Sequence, residues 1–561
     1  MLDQAQHPQL SATGQLLRDP DWWRGAVIYQ IYPRSFQDTT GNGVGDLPGI
    51  TRRLDHVASL GVDAVWLSPF FTSPMKDFGY DVANYRDVDP IFGTLADFDA
   101  LVERAHDLGL KVIIDQVISH SSDRHPWFEE SRQSRDNPKA DWYVWADPKE
   151  DGTPPNNWLS VFSGPAWRWN SRRRQYYLHN FLIEQPDLNF HNPDVRAALL
   201  SEMRFWLERG VDGFRLDTAN FYFHDAELRD NPPLPEAMRS EIYAPRSDAY
   251  NFQHHVHDRN RPDNLAFLKE MRSVLDEYGA VAVGEVGERS TGIELMGEYT
   301  SGGDKLQMCY AFEFLSGGIL APRTIRNVVQ RFETAGPDGW ACWAFSNHDV
   351  VRHATRWAEG REGPGERDTI LKLAAGVLMS LRGSVCLYQG EELGLGEAEI
   401  PRDRMVDPSG IALWPEVKTR DGCRTPMVWT GDDRNGGFSD AEPWLPIPDE
   451  HLALAVSSAE EDPDSLLAFY RRLIAYRKAS PSLVKGRLTF LDAEPSILAM
   501  LREADGEATL CVFNLGEEPA RFELPEGMSV AGAAPGLFGG RLDGDTIRLA
   551  AHDGFIARIT R

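Results

Sequence analysis

From residue 22 to about 390 one unit recurs along the chain: an amphipathic segment, a glycine, then a short β-branched apolar run. PGITRRLDHVASLG (48–61) places Ile50, Leu54, Val57 and Leu60 on one helical face and is followed by VDAVWLSP. LADFDALVERAHDLG (95–109) precedes LKVIID, and RPDNLAFLKEMRSVLDEYG (261–279) precedes AVAVGEV. A helix opening at Asn192-Pro193, an N-cap and N1 pair, runs through Leu199, Met203 and Trp206 to Gly210 ahead of VDGFRLD. The glycine after each helix suits a left-handed C-cap. Short, uninterrupted apolar runs read as strands buried on both faces of a parallel sheet. They fall at 26–32, 62–68, 110–117, 212–217, 280–285, 306–314, 341–346 and 383–388. Eight strands joined by helices predict an α/β fold, a (β/α)8 TIM barrel. The alternative is an open doubly wound sheet, and the lack of GxGxxG after the first run counts against its dinucleotide-binding form.

Two segments break the rhythm. Residues 121–186, rich in Trp, Pro, Asn and Arg, are too long for a βα loop and predict a small inserted domain. Residues 219–261 form a second long insert. After DSLLAFYRRLIAYRKAS (464–480) the texture changes to short strands with turns between them, as in LTFLDA, ATLCVFNL and DGFIARIT. The expected organisation is a barrel over 1–120 and 187–482, an inserted domain over 121–186 and a C-terminal antiparallel β domain over 483–561.

The net charge of −27 argues against nucleic acid or an anionic membrane surface as partner, since both reward an excess of Lys and Arg. No apolar run approaches the roughly 18–20 residues of a membrane span, and the first residues lack the pattern of a signal peptide. The five cysteines show no CxxC spacing, and Cys309, Cys342, Cys386 and Cys511 sit in apolar runs. Buried free thiols in a reducing compartment follow, hence a cytoplasmic location. Sixteen tryptophans favour sugar binding slightly, though most serve as core.

Catalytic residues of a barrel sit at the C-terminal ends of its strands. Asp115, Asp217, Glu285, Asp349 and Glu391–Glu392 all fall there, ending or following apolar runs that otherwise exclude charge. Several carboxylates with no nucleophilic Ser or Cys motif suggest glycoside chemistry, in which one carboxylate attacks and one carboxylic acid protonates the leaving oxygen. Arg215, two residues before Asp217 and on the same strand face, keeps Asp217 ionised and makes it the better nucleophile, with Glu285 the acid.

At this point the motifs resemble the α-amylase family of glycoside hydrolases. DQVISH (115–120), GFRLD (213–217), GEV (284–286) and SNHD (346–349) stand in the family's order, with QPDLN (185–189) a further match. The resemblance implies Asp217 as nucleophile, Glu285 as acid/base and Asp349 as a third carboxylate gripping the substrate's hydroxyls. It also implies sugar contacts from His120, His348 and Phe162, with Arg215 orienting Asp217 and Arg352 contributing to the substrate site. GYD (79–81), YQGEE (388–392) and CRTPMVW (423–429) look like the exo-acting α-glucosidase branch, similar to bacterial α-glucosidases and oligo-1,6-glucosidase. There Asp77, Tyr80 and Arg424 would close the pocket after one glucose. Ser119 departs from the family pattern, which has Asn before the histidine. Thr218, after the nucleophile, implies preference for α-1,4 bonds, where Val goes with α-1,6. The expected activity is a retaining exo-α-glucosidase acting on small neutral sugars, maltose-type disaccharides and short oligosaccharides, through a covalent β-glucosyl-enzyme. The alternatives are an α-glucosyltransferase, with residues 219–261 shaping the acceptor side, and a sucrose-preferring hydrolase. A non-catalytic transporter subunit is disfavoured, because all three carboxylates are present.

DTTGNGVGD (38–46) offers Asp38, Thr40, Asn42, the carbonyl of Val44 and Asp46 as oxygen ligands, but Gly49 stands where an EF-hand has its bidentate Glu. It resembles the single Ca²⁺ or Mg²⁺ loop of related α-glucosidases and implies one structural ion; no organic cofactor is expected. QHHVH (253–257) does not present a zinc site, because its histidines do not share a helical face and no Cys accompanies them. Exposed or substrate-proximal histidines are the better reading.

Overall fold

The structure is a computed structural model that describes residues 20–238, 248–288, 291–319, 321–361 and 365–560. Eight parallel strands form one sheet: β1 (Val27–Ile31), β2 (Ala64–Leu67), β3 (Lys111–Gln116), β4 (Gly213–Leu216), β5 (Val281–Val286), β6 (Met308–Ala311), β7 (Cys342–Trp343) and β8 (Ser384–Tyr388). Their order is β6-β5-β4-β3-β2-β1-β8-β7, and a parallel bridge between Cys309 and Ala341 closes β6 onto β7. Closure decides for the barrel over the open sheet. All eight strands fall within the expected runs apart from one end residue, Val286 of β5. Two are shorter than expected. The run at 306–314 stops at Ala311 and tightens into a 3₁₀ turn over Phe312–Phe314, and β7 keeps only two ladder residues.

The helices begin and end as their caps dictate. Asp46 accepts the N–H of Gly49 at the start of Leu47–Ser59, Thr94 and Asp97 form a reciprocal capping box on Leu95–Asp107, and Asn192 caps Pro193–Glu208. Gly279 ends Asn264–Tyr278 at φ 62°, a conformation a Cβ would strain.

Strand residues alternate between two apolar clusters. Val27, Tyr29, Ile31, Val65, Leu67, Val112 and Ile114 pack outward against the helices, while Ile28, Trp66, Ile113, Val283, Met308 and Tyr310 fill the interior. This period of two sends Asp115, Arg215, Asp217 and Glu285 inward as well, one layer above that apolar floor.

Within the 121–186 insert a three-stranded antiparallel sheet pairs Gln175–Leu178 with Trp145–Ala146 and Trp167–Asn170. From Arg487 onward come five- and three-stranded antiparallel sheets around a second core that includes Leu510, Val512, Ile547 and Phe555. Buried Arg502 ties this part to the barrel, donating to the carbonyls of Ser380 (2.7 Å) and Leu381 (2.9 Å) at the end of helix Glu366–Ser380. Among the described residues no helix is long and apolar enough to cross a membrane. All five cysteines are free and buried.

Candidate active site

Register assembles the centre. Asp115 of β3 lies beside Arg215 of β4, and Glu285 of β5 beside Tyr310 of β6. The Arg215 guanidinium, 1% exposed, reaches all three neighbouring carboxylates. Its Nη1 lies 2.8 Å from Asp115 Oδ1 and 2.8 Å from Asp217 Oδ1, its Nη2 2.5 Å from Glu285 Oε2. Its Nε and Nη2 donate to the Tyr310 hydroxyl at 3.1 and 2.9 Å.

One cation cannot neutralise three buried carboxylates. Burial raises the pKa of Glu285 to about 7, against the pull of Arg215, with Asp217 and Asp349 adding to the rise. Burial also raises Asp217 and Asp115, again opposed by Arg215. The cluster therefore holds a proton near neutral pH. Asp115 is the poorest place for it, since it accepts two bonds from Arg215 and further ones from Tyr80 (3.0 Å) and Trp66 (3.3 Å). Glu285 takes Arg215 and the Thr218 N–H (3.1 Å) on Oε2, which leaves Oε1 for the proton.

Above this centre lies a cavity of about 1360 Å³, walled in part by Asp217, Thr218, Glu285, Asp349, Asp77, Tyr80, His120 and Phe162. Arg420 also lines it, bonding Asp77 (2.9 Å), Asp407 (2.7 Å) and Asp349 (3.1 Å) and lying 5.3 Å over the ring of Phe162. Burial opposes ionisation of Asp349, but contacts with His348, Arg420 and Arg424 outweigh it and hold the carboxyl well below its usual range. Burial keeps His348 itself neutral, its pKa pushed down to about 3. Gln30 donates to its Nδ1 (2.8 Å), so Nε2 carries the proton toward Tyr80 Oη (2.5 Å) and Asp349 (3.2 Å).

Four expected residues stand behind the wall. Arg215, His348 and Arg424 act on wall residues; Arg424 donates to Asp349 (2.8 Å) and to the carbonyl of His348 (2.7 Å). Arg352 does not reach the cavity: it is spent on the carbonyls of Gln389 (2.8 Å) and Cys423 (2.9 Å) and lies 4.5 Å over Tyr388. Glu391 and Glu392 also leave the mouth. Glu392 accepts from Tyr29 (2.8 Å) and Glu391 from Tyr470 (3.0 Å), both toward the helix layer. The chain turns back at Gly390 (φ 80°), so the alternation that aims β8 side chains inward ends before them. The 219–261 insert reaches the outer cavity through Tyr250, His254, His255 and Arg259; its residues 239–247 lie outside the described residues. His255 is fixed by Asp258 (2.6 Å), and among the described residues no three His, Cys, Asp or Glu gather to hold a metal.

The 38–46 loop folds away from the cavity. Asp38 accepts the N–H groups of Thr40 (2.8 Å), Gly41 (2.9 Å) and Gly43 (2.8 Å) and the hydroxyl of Ser439 (2.6 Å). Burial works against its ionisation, but these donors outweigh it and hold the carboxyl below its usual range. Asp38 Oδ1 lies 3.1 Å from Thr40 Oγ1, Asn42 accepts from Val44 N (2.8 Å), and Asp46 accepts from Thr39 N (2.8 Å). An all-oxygen set with two carboxylates in a preformed turn fits one hard divalent cation.

A (β/α)8 barrel with a carboxylate cluster around one arginine at its C-terminal mouth defines a class of carbohydrate-active enzymes. The chain belongs to the α-amylase family of glycoside hydrolases, whose catalytic domain matches residues 30–486. A probable α-glucosidase of Rhizobium meliloti (strain 1021) is 60% identical over 549 residues, 98% of this chain and 99% of the relative. An oligo-1,6-glucosidase of Heyndrickxia coagulans is 37% identical over 542 residues, 90% of this chain and 94% of the relative. The crystal structure of an α-glucosyl transfer enzyme, XgtA, matches with a TM-score of 0.92 at 53% identity, covering 96% of this chain and 99% of that one.

Proposed function

We propose that the protein is a retaining exo-α-glucosidase that releases glucose from the non-reducing end of short α-glucosides, with α-1,4 bonds preferred. The observation that carries this is the pair of bridges Arg420–Asp77 and Arg420–Asp349 in the wall of the same cavity that holds Asp217 and Glu285. Such a pocket takes one terminal ring and no continuing chain. Asp217 Oδ2, not engaged by Arg215, attacks the anomeric carbon. Glu285 gives its proton to the leaving oxygen, the aglycone departs through the outer cavity, and a β-glucosyl-enzyme remains. Glu285, now ionised, takes a proton from water, and the water's attack releases α-glucose. Asp349, held ionised by its arginines, accepts bonds from ring hydroxyls as positive charge develops.

Kinetics on disaccharides test this: kcat/KM on maltose should exceed that on isomaltose, and Thr218→Val should move the ratio at least about tenfold toward isomaltose. Equal ratios in both proteins would remove the α-1,4 reading. A second reading, transfer to a sugar or alcohol in place of water, is supported by the likeness to XgtA and by an outer cavity roomy enough for an acceptor. Free glucose without new oligosaccharides from maltose or sucrose would exclude it.

The 38–46 loop is read as the site of one Ca²⁺ or Mg²⁺, held by Asp38, Thr40, Asn42, the Val44 carbonyl and Asp46; the ion would neutralise two carboxylates and brace the helix that Asp46 caps. Chelation should lower the Tm by a few degrees and leave kcat nearly unchanged. A Tm indifferent to chelator, with no divalent ion found by elemental analysis, would remove the ion. The five free thiols support a reducing, cytoplasmic compartment.

A further inference from the structure

We propose that Ser119 is a positioning residue for the attacking carboxylate: it draws the hydroxyl proton of Thr218 away from Asp217 and so leaves Asp217 Oδ2 free to react. The inference rests on the reading of Asp217 as nucleophile.

Ser119 is buried beyond the end of β3. Its Oγ lies 2.9 Å from His120 Nδ1 and 3.0 Å from Thr218 Oγ1. The direction of these bonds is set by the far side of the imidazole. His120 Nε2 lies 3.1 Å from the carbonyl oxygen of Tyr80, which can only accept, so Nε2 carries a proton. Gln185 Nε2 also lies 3.1 Å from His120 Nε2, but its two hydrogens have oxygen acceptors in Asp77 Oδ2 (3.2 Å) and the same carbonyl (3.4 Å), so the ring nitrogen keeps its proton. Burial pushes the His120 pKa down to about 4, so the ring is neutral and Nδ1 has no proton. Ser119 must then donate to Nδ1. With its only proton committed, Ser119 Oγ accepts from Thr218.

The result is a one-way chain: Thr218 hydroxyl to Ser119 hydroxyl to His120 Nδ1, with Nε2–H to the Tyr80 carbonyl. Thr218 Oγ1 lies 3.4 Å from Asp217 Oδ2, the nearest hydroxyl donor that oxygen could recruit among the described residues. The Thr218 backbone cannot drift from this arrangement. Its φ is 41°, an uncommon conformation for a β-branched residue, and its N–H is fixed on Glu285 Oε2 at 3.1 Å. Without Ser119 the threonine proton turns to Asp217 Oδ2. A hydrogen bond there stabilises the ionised carboxylate, lowers its pKa and weakens the attacking lone pair.

The test is a double-mutant cycle read with p-nitrophenyl α-glucoside, whose aglycone has no linkage to choose. Asp217→Asn serves as control: if that variant stays active, the nucleophile assignment fails on its own. With the control inactive, Ser119→Ala should lower kcat/KM about fivefold and move the acid limb of its pH profile to lower pH. In a Thr218→Val background, which has no hydroxyl to redirect, adding Ser119→Ala should change neither. A misfolded Ser119→Ala protein would not be rescued in this way. An equal loss in both backgrounds, an unmoved acid limb or no loss at all would overturn the proposal.

Discussion

With azide present, Asp217→Gly and Glu285→Ala enzymes are expected to return glucosyl azides of opposite anomeric configuration. Without azide, both should turn over natural α-glucosides at least about 10⁴-fold more slowly than the parent. In the glycine variant the nucleophile's place is empty, and azide can enter it and attack α-glucosyl fluoride from that face, giving the β-azide with fluoride leaving. In the alanine variant Asp217 still displaces fluoride, a leaving group that needs little protonation. Azide needs no general base, so it opens the β-glucosyl-enzyme from the opposite face and gives the α-azide. The experiment is needed because Arg215 does not discriminate between the two carboxylates: it lies 2.8 Å from Asp217 and 2.5 Å from Glu285. The same anomer from both variants, or residual activity within tenfold of the parent, would remove the assignment of roles.

Strand positions were legible in the sequence because burial on both faces leaves an uninterrupted apolar run, and the period of two then aims Asp115, Arg215 and Asp217 inward without further information. Helix ends were legible at Asn192, Pro193 and Gly279 because caps are local chemistry. Arg215 was placed beside Asp217 by spacing within one strand, but its contacts to Asp115 and Glu285 depend on register between strands, which no single strand encodes. Arg420 went unseen for a related reason. It lies four residues before Arg424 in an irregular segment, where no period tells which guanidinium faces the cavity; Arg420 reaches Asp77, while Arg424 is wholly covered behind Asp349. Glu391 and Glu392 misled because proximity to a strand end is a statement about the chain, whereas the turn at Gly390 decides direction. The oxygen-rich loop at 38–46 was legible as a loop, and its two carboxylates are held by its own N–H groups and by Ser439, a residue 401 positions away.

Arg215→Met should be inactive and should lose stability in an unusual direction, as pH rises. The carboxyl groups of Asp115, Asp217 and Glu285 are raised by burial even with the guanidinium beside them. Removing it raises them further, because the strongest influence favouring their ionised forms is gone. A carboxyl whose folded pKa lies above its unfolded value of roughly 4 binds its proton more tightly in the folded state. The stability this contributes is full below pH 4 and is lost as pH climbs through the folded pKa, which for Glu285 is already about 7 in the parent. At pH 5 the variant can keep all three groups protonated, and methionine fills much of the arginine's volume. At pH 8 it must either carry uncompensated buried charge or hold protons against solution, and the loss should reach about 3–5 kcal/mol. Tm values of parent and variant should therefore lie close together at pH 5 and separate widely at pH 8. Acid unfolding through Asp349 and Asp407, whose carboxyls are held low, should change little, since Arg420 and Arg424, the stronger cationic influences on both, remain. A gap of equal size at both pH values would mean that Arg215 contributes packing rather than charge, and that the catalytic carboxylates are not under its control.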